Sequence, residues 1–166
     1  QGQTKNEVLA YLASLPSQNK VLVGQQCGDG NHINEWAYPD FVEALHTASG
    51  KWVGMVGGDY GWKYSTDPSV VNQSLIRHAG YGGLVELTWH CMNPWTGGNP
   101  RDNQGNHGLN ELITPGSSVY DEWISELDKM AAGLQELKDE GIVVLWRPLH
   151  EMNASWFWWG NRESQA

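Results

Sequence analysis

Four short apolar runs recur along the chain, and an amphipathic segment precedes the first run and separates each run from the next. The apolar runs, which predict strands, span about 20–26, 52–56, 84–89 and 142–146. The segments with helical spacing span about 4–15, 39–48, 68–78 and 119–140. Each helical segment ends within two residues of a Gly or Pro, as helices commonly do. Continuous apolar strands that alternate with helices are typical of parallel sheets covered by helices, so we expect an α/β fold.

The segments that follow the predicted strands carry many of the polar and aromatic residues. In a (β/α)8 TIM barrel the active site is built from these loops, at the carboxyl ends of the strands. An open doubly wound sheet would place a ligand at the same ends, but no Gly-x-Gly-x-x-Gly or phosphate-binding loop follows the first run. We therefore predict a (β/α)8 TIM barrel, of which this chain supplies about the first four β/α units.

The length of the chain bears on how such a barrel is completed. An eight-unit barrel typically needs ~250 residues, and this sequence has 166. A four-stranded half would leave an apolar sheet edge unpaired, which is an aggregation liability. We therefore expect residues 1–166 to form the N-terminal half of a single barrel domain. The remaining half would lie elsewhere, as the rest of a longer protein or as a second chain.

The composition argues against several kinds of partner. The formal net charge is -9 and Lys and Arg form no cluster, so neither a nucleic acid nor a membrane surface is expected as a partner. No apolar stretch approaches the ~20 residues of a spanning helix, and we expect a secreted protein whose signal has been removed. Ten Trp exceed what a core of this size requires, which favours a groove that stacks sugar rings. Cys27 and Cys91 are expected to be buried free thiols.

One segment places a carboxylate among aromatic rings directly after the fourth predicted strand. Residues 146–160 read W-R-P-L-H-E-M-N-A-S-W-F-W-W-G, and Glu151 is the candidate proton donor. An aromatic, partly desolvated surrounding favours the protonated form of a carboxyl group, as a general acid requires. The alternative is an ion pair between Glu151 and Arg147. Strand alternation turns Arg147 to the other side of the backbone, unless Pro148 introduces a bulge.

This segment resembles the strand-four signature of glycoside hydrolase family 26, the β-mannanases of a large clan of (β/α)8 retaining glycosidases. Most of that clan has Asn before the acid/base Glu, whereas family 26 has His, as this chain does at His150. The resemblance extends to G-G-D-Y-G-W after the second predicted strand and to T-W-H-C-M-N-P at the third. It implies that residues 1–166 are the N-terminal half of one glycoside hydrolase catalytic domain.

The resemblance also implies roles for individual residues. Glu151 would be the catalytic acid/base, and His150 would orient the catalytic carboxylates. The implied substrate-binding residues are His90 at the cleavage subsite, Trp156 as a stacking platform, and Asp59, Tyr60 and Trp62 on the glycone side. Arg147 and Trp95 are further candidates for substrate binding. Structural alternatives remain open: a hydrogen-bonded strand-end histidine for His90, core packing for Trp156 and Trp95, and a turn-forming Asp for Asp59.

The second carboxylate of a retaining glycosidase is expected outside this chain. Retention needs two carboxyl groups ~5–5.5 Å apart, and in the family the nucleophile is a Glu at the end of strand seven. Glu35, Glu86 and Asp59 are the candidates within the chain, and none is convincing. No cofactor and no metal are expected, because the histidines lack a paired spacing such as H-E-x-x-H. By itself, the chain should bind weakly and hydrolyse nothing.

The predicted activity is therefore that of a retaining endo-β-1,4-mannanase acting on mannan or galactomannan backbones. Two alternatives stay open. One is another polysaccharide hydrolase of the same family, a mixed-linkage β-glucanase or a β-1,3-xylanase, because loops decide the substrate. The other is a non-catalytic carbohydrate-binding homologue that uses the Trp-rich groove.

Overall fold

The computed structural model describes residues 3–27, 38–61, 67–104 and 108–160. Within these ranges, four strands form one parallel sheet in the order β1-β2-β3-β4. The strands are β1 Gly24–Gln26, β2 Met55–Asp59, β3 Leu84–Trp89 and β4 Val144–Pro148. The helices are α1 Lys5–Ser14, α2 Ala44–Ser49, α3 Pro68–Gly80 and α4 Tyr120–Asp139. A π-helical turn, Pro39–Glu43, leads into α2, and short 3-10 turns occupy Pro16–Gln18 and Leu109–Ile113.

The helices begin and pack as their sequences predict. Thr4 caps α1 in a capping box, because its hydroxyl accepts the backbone N–H of Glu7 while the Glu7 carboxylate accepts the backbone N–H of Thr4. In α4, Trp123, Met130 and Leu137 are buried at helical spacing. No helix among the described residues is long and apolar enough to span a bilayer.

The second strand begins and ends three residues later than predicted. The sequence Gly57-Gly58 suggested a turn, yet both residues pair with β3 inside the strand. A Cβ on Gly58 would lie 2.9 Å from Cγ1 of Val71 on α3, so glycine permits the close approach of helix and sheet. The fourth strand is also displaced, to Val144–Pro148 from the predicted 142–146.

The sheet has an apolar outer face and a polar inner face. The outer face, toward α3 and α4, buries aliphatic side chains such as Val56, Val85 and Leu87. The inner face carries Gln26, Glu86, Thr88 and Arg147. Among the described residues, β1 and β4 each pair with a single neighbour. Val21 and Val23, next to β1, are 86% and 64% exposed. This strand order is that of consecutive β/α units in a barrel.

Candidate active site

The carboxyl ends of all four strands meet around one open cavity of about 410 Å³. Parallel strands place their carboxyl ends at the same edge of a sheet, so residues far apart in the sequence come together there. The lining is mostly polar and comprises Gln26, Phe41, Asp59, Thr88, His90, Arg147, His150 and Glu151. Five of the nine predicted site residues are in this lining.

Glu151 lies at the mouth of the cavity, where the chain turns sharply after β4. Leu149 and Glu151 have φ angles of 47° and 57°, in the left-handed region that non-glycine residues rarely adopt. Nε1 of Trp156 donates a hydrogen bond to Oε2 of Glu151 over 2.6 Å. Glu151 is exposed, so the expected desolvated surrounding is wrong for this structure. Trp156, which is 52% exposed, is not packed in the core.

Arg147 does not pair with Glu151. Its Nε donates to Oε1 of Glu86 over 2.7 Å, across the inner face of the sheet. Thr88 is the β3 partner of Arg147 in the register, and Glu86 lies two residues earlier on the same face. This ion pair occupies Glu86, one of the carboxylates considered as a nucleophile, while Glu35 lies outside the described residues.

His150 joins the turn after β4 to the third strand. Its carbonyl accepts a hydrogen bond of 2.8 Å from Nε1 of Trp159. Its ring meets that of His90 edge-on, with centroids 4.4 Å apart. Burial lowers the pKa of His150, and the nearby His90 and Arg147 lower it further. Within the described residues, Nδ1 of His150 has no hydrogen-bond partner.

Asp59 and His90 form a hydrogen-bonded pair at the ends of β2 and β3. The side chain of Asp59 is 2% exposed, and that of His90 is 14% exposed. Oδ1 of Asp59 accepts the backbone N–H groups of Gly61 and His90, over 3.0 and 3.2 Å. Oδ2 contacts Nδ1 of His90 and accepts the hydroxyl of Thr88 over 2.9 Å. Asp59 therefore lines the cavity, but its buried carboxylate is hydrogen-bonded to other residues of the protein. The hydrogen bond from Gly61 is the turn-forming contact that the sequence left open.

Tyr60 is not in the cavity lining, so the structure does not bring it together with the other predicted substrate-binding residues. The residue is 1% exposed and follows Asp59, so strand alternation directs it to the outer face. Its hydroxyl donates to Oδ1 of Asn72 over 2.6 Å. The Nδ2 group of Asn72 donates to the carbonyl of Gly133 and to Glu136, over 2.9 and 2.6 Å. Burial raises the pKa of the Tyr60 phenol.

Most of the described tryptophans belong to the core, contrary to the stacking groove that their number suggested. Trp89, Trp123, Trp158 and Trp159 are buried. Trp95 packs edge-on against Trp158, with centroids 5.6 Å apart, and its Nε1 donates to Glu111. Trp95 is therefore placed with the core aromatics. Trp62 lies outside the described residues. Two described tryptophans contact the cavity lining: Trp156 donates to Glu151, and Trp159 donates to the carbonyl of His150.

Several residues of the site carried no signal that the sequence analysis used. Thr88 and Gln26 line the cavity. Residues two apart in a strand lie on the same face, so strand alternation would have placed both on the inner face. Cys27 and Cys91 are buried and free, as predicted. Burial raises the pKa of the Cys27 thiol to about 11, which makes it a poor nucleophile. Within the described ranges, no three His, Cys, Asp or Glu side chains come together as metal ligands would.

Comparison with known proteins identifies the family of this chain. The model of Glycosyl hydrolase family 26 matches residues 1–166. Mannan endo-1,4-beta-mannosidase A and B of Caldalkalibacillus mannanilyticus is 35% identical over 168 residues, which cover 95% of this chain and 32% of that protein. The structure of Bacillus subtilis mannanase man26 is similar with a TM-score of 0.82 at 30% identity, over 96% of this chain and 50% of the other.

A second similar structure contains a bound oligosaccharide. It is a beta-mannanase from a symbiotic protist of the termite Reticulitermes speratus, complexed with gluco-manno-oligosaccharide. It has a TM-score of 0.68 at 27% identity, over 90% of this chain and 51% of the other.

The chain belongs to glycosyl hydrolase family 26. It spans between a third and a half of the length of these three relatives. The fold is that of the (β/α)8 TIM barrel, represented here by four β/α units.

Proposed function

We propose that the barrel containing this chain is a retaining endo-β-1,4-mannanase that hydrolyses mannan or galactomannan backbones. The observation that carries the proposal is the position of Glu151, at the end of β4 on a cavity that His90 and His150 also line. The family match and the mannanases among the relatives support mannan as the substrate. Trp156 adds an exposed ring beside the carboxylate, and sugar faces pack on such rings.

Glu151 would serve first as an acid and then as a base. It protonates the departing glycosidic oxygen while a second carboxylate attacks the anomeric carbon and forms a glycosyl-enzyme. The resulting Glu151 carboxylate then takes a proton from water, which displaces the nucleophile and restores both carboxyl groups. The hydrogen bond from Trp156 holds one carboxylate oxygen in place and leaves the other for the proton transfer.

The nucleophile would come from outside the 166 residues. We propose that residues 1–166 are the N-terminal half of one catalytic domain, completed by the rest of a longer protein or by a second chain. The two open strands, β1 and β4, are where that remainder would pair. We further propose that the protein is secreted, where it would meet plant polysaccharide.

The decisive experiment measures reducing ends released from mannan by the protein with its complete barrel. Glu151→Gln and Glu151→Ala should each lower turnover by at least about 1,000-fold, because the proton donor is lost. Glu122→Gln, an exposed change on the first turn of α4, is the matched control and should keep full activity. Unchanged turnover in both Glu151 variants would contradict the assignment.

The same assay on mixed-linkage β-glucan and β-1,3-xylan tests the choice of substrate. We expect release from mannan to exceed release from either by a wide margin. If reducing ends are released faster from one of these two polysaccharides, that polysaccharide replaces mannan as the proposed substrate. Binding of mannan without any release of reducing ends would instead favour a non-catalytic carbohydrate-binding homologue.

A further inference from the structure

The carboxylate of Asp59 is buried, and its contacts are all with groups that can donate to it. Oδ1 accepts two backbone N–H groups, those of Gly61 and His90. Oδ2 lies against the hydroxyl of Thr88 and against Nδ1 of His90. An ionised carboxylate only accepts hydrogen bonds, so Nδ1 of His90 must carry a proton to make this contact favourable.

Thr88 cannot replace His90 as the constant donor to Oδ2. The Thr88 hydroxyl lies 2.9 Å from Oδ2 of Asp59 and 3.1 Å from the carbonyl oxygen of Gly58. Both of these atoms are acceptors, and a hydroxyl has one proton to share between them. Nδ1 of His90 is therefore the donor on which Oδ2 depends.

The ring of His90 is also held in place from its other sides. It meets the rings of His150 and Phe157 edge-on, with centroids 4.4 and 5.1 Å apart. Aromatic contacts of this kind fix the plane of a ring but do not select which nitrogen carries the proton. Asp59 is in contact with Nδ1 and can make this selection.

We propose that Asp59 is a positioning residue that fixes both the orientation and the tautomer of His90. In neutral His90 the proton is on Nδ1, and Nε2 is a hydrogen-bond acceptor. Because His90 lines the cavity, its orientation and tautomer would also affect substrate binding there. Asp59 itself does not bind sugar, because it is 2% exposed and its oxygens are occupied by protein donors. The substrate part of this proposal rests on the proposed function; the tautomer does not.

Nuclear magnetic resonance of the ¹⁵N-labelled histidine side chains tests the tautomer directly, on the 166-residue chain and on the protein with its complete barrel. The His90 signals are assigned by their loss in His90→Gln. In the wild type at a pH where His90 is neutral, we expect the proton on Nδ1. A proton on Nε2 would overturn the proposal. Because the measurement uses the wild-type protein, it does not depend on whether an Asp59 variant folds.

Asp59→Asn should reverse the tautomer while it preserves the shape of the side chain. The two backbone N–H groups at Oδ1 can only donate, so the carbonyl oxygen of Asn must face them. Its NH₂ group then occupies the position of Oδ2 and donates to Nδ1, which moves the His90 proton to Nε2. Retention of the Nδ1 proton in folded Asp59→Asn would overturn the proposal.

Two further variants separate this effect from a general loss of structure. Asp67→Asn makes the same chemical change at the exposed N-cap of α3, where Asn is an equally good cap, and should leave His90 unchanged. Thr88→Val removes the second donor to Oδ2 and should keep the proton on Nδ1. A tautomer change in Thr88→Val would overturn the assignment of this role to Asp59.

The kinetic consequence is measured on the protein with its complete barrel. Asp59→Asn should lower kcat/KM by about 10- to 100-fold, the size of effect typical of groups that orient a functional histidine. Unchanged kcat/KM would overturn the positioning role. If the wild type does not hydrolyse mannan at all, the proposed function fails, while the tautomer measurement still decides the relation between Asp59 and His90.

Discussion

The two faces of the four-stranded sheet hold their polar side chains in different ways. Asp59 and Tyr60 are adjacent in the sequence and equally buried, yet they point to opposite faces. On the outer face, Tyr60 and Asn72 form hydrogen bonds that link the sheet to α3 and α4. On the inner face, Asp59 bonds to His90, which lines the open cavity. Buried polar groups therefore link the sheet to the helices on one face and contact a cavity-lining side chain on the other.

The largest effect on stability is expected at Asn72, on the outer face. Asn72→Ala leaves the Tyr60 hydroxyl and the Gly133 carbonyl without their buried partner, at a cost of about 3 kcal/mol in the free energy of unfolding. Denaturant titration measures this loss. Gln73→Ala, at the exposed neighbouring position of α3, should change the free energy of unfolding by less than about 0.5 kcal/mol. A comparable loss in both variants would contradict the role assigned to Asn72.

Two adjacent glycines of β2, Gly57 and Gly58, allow the packing of the two faces to be compared with the same substitution, glycine to alanine. A Cβ on Gly58 would lie 2.9 Å from Val71 and 3.3 Å from Leu75, in the packed layer between sheet and helix. A Cβ on Gly57 would instead meet the ends of Gln26 and Glu86, which are flexible side chains. We expect Gly58→Ala to destabilise the protein by about 2 kcal/mol, and Gly57→Ala to be nearly neutral.

Thermal and denaturant unfolding of the two variants measures this difference. Gly57→Ala displaces Glu86 from its contact with Arg147, so its effect should appear in substrate binding rather than in stability. Equal losses of stability in Gly57→Ala and Gly58→Ala would show that the inner face is packed as tightly as the outer one.

The sequence predicted the strand order and the acid/base segment because both depend on local pattern. Apolar runs between helices predict a parallel sheet, and the predicted positions of Glu151 and His150 after β4 follow from the end of that strand. Tyr60 was misplaced for a physical reason: Gly57 and Gly58 were expected to follow the strand, whereas both pair with β3, and Gly58 packs closely against α3. Once the strand extends to Asp59, alternation sends Tyr60 outward.

The tryptophans show where composition is a poor guide. Trp158 and Trp159 find buried partners for their N–H groups, in the carbonyls of Cys91 and His150. Such long-range partners cannot be inferred from the sequence alone. The same contacts explain why a core can hold several indole rings without unsatisfied donors. The motif that predicted a sugar-binding groove thus contributes mainly to packing, with Trp156 as the exposed exception.

Two histidines, one on each face, each have a buried ring nitrogen without a partner among the described residues. They are His78 Nε2 on the helix side and His150 Nδ1 at the cavity. Burial lowers the pKa of His78 from its usual 6.5, because the charged form is poorly solvated there. The unfolded state therefore binds more protons than the folded state as the pH falls below 6.5. Stability is complete above this pH and declines below it.

His78→Asn should weaken this acid sensitivity, since the Asn oxygen can replace Nδ1 as a partner of the Tyr38 hydroxyl. Between pH 7.5 and 5.5, we expect the wild type to lose up to about 1.4 kcal/mol more than the variant in the free energy of unfolding. Urea titrations at the two pH values measure the difference. If both proteins lose the same amount, another group, such as His150, dominates the pH dependence.

The smallest effect is expected at the acid/base position itself. Glu151 adopts a φ of 57°, where a Cβ is unfavourable and glycine is not. Glu151→Gly and Glu151→Ala both remove the carboxylate and its bond to Trp156, so they differ mainly in backbone strain. Relief of strain outweighs the greater unfolded-state freedom of glycine, and we expect Glu151→Gly to be more stable than Glu151→Ala by about 0.5–1 kcal/mol.

Glu122→Gly and Glu122→Ala provide the matched pair in a normal helical conformation, on α4. There glycine should be less stable than alanine, by about 1 kcal/mol. Opposite signs at the two positions would show that the cavity-facing turn carries strain that the helices do not. If glycine is the less stable residue at both, Glu151 is held without strain, and its turn differs from the rest of the fold only in its side chains.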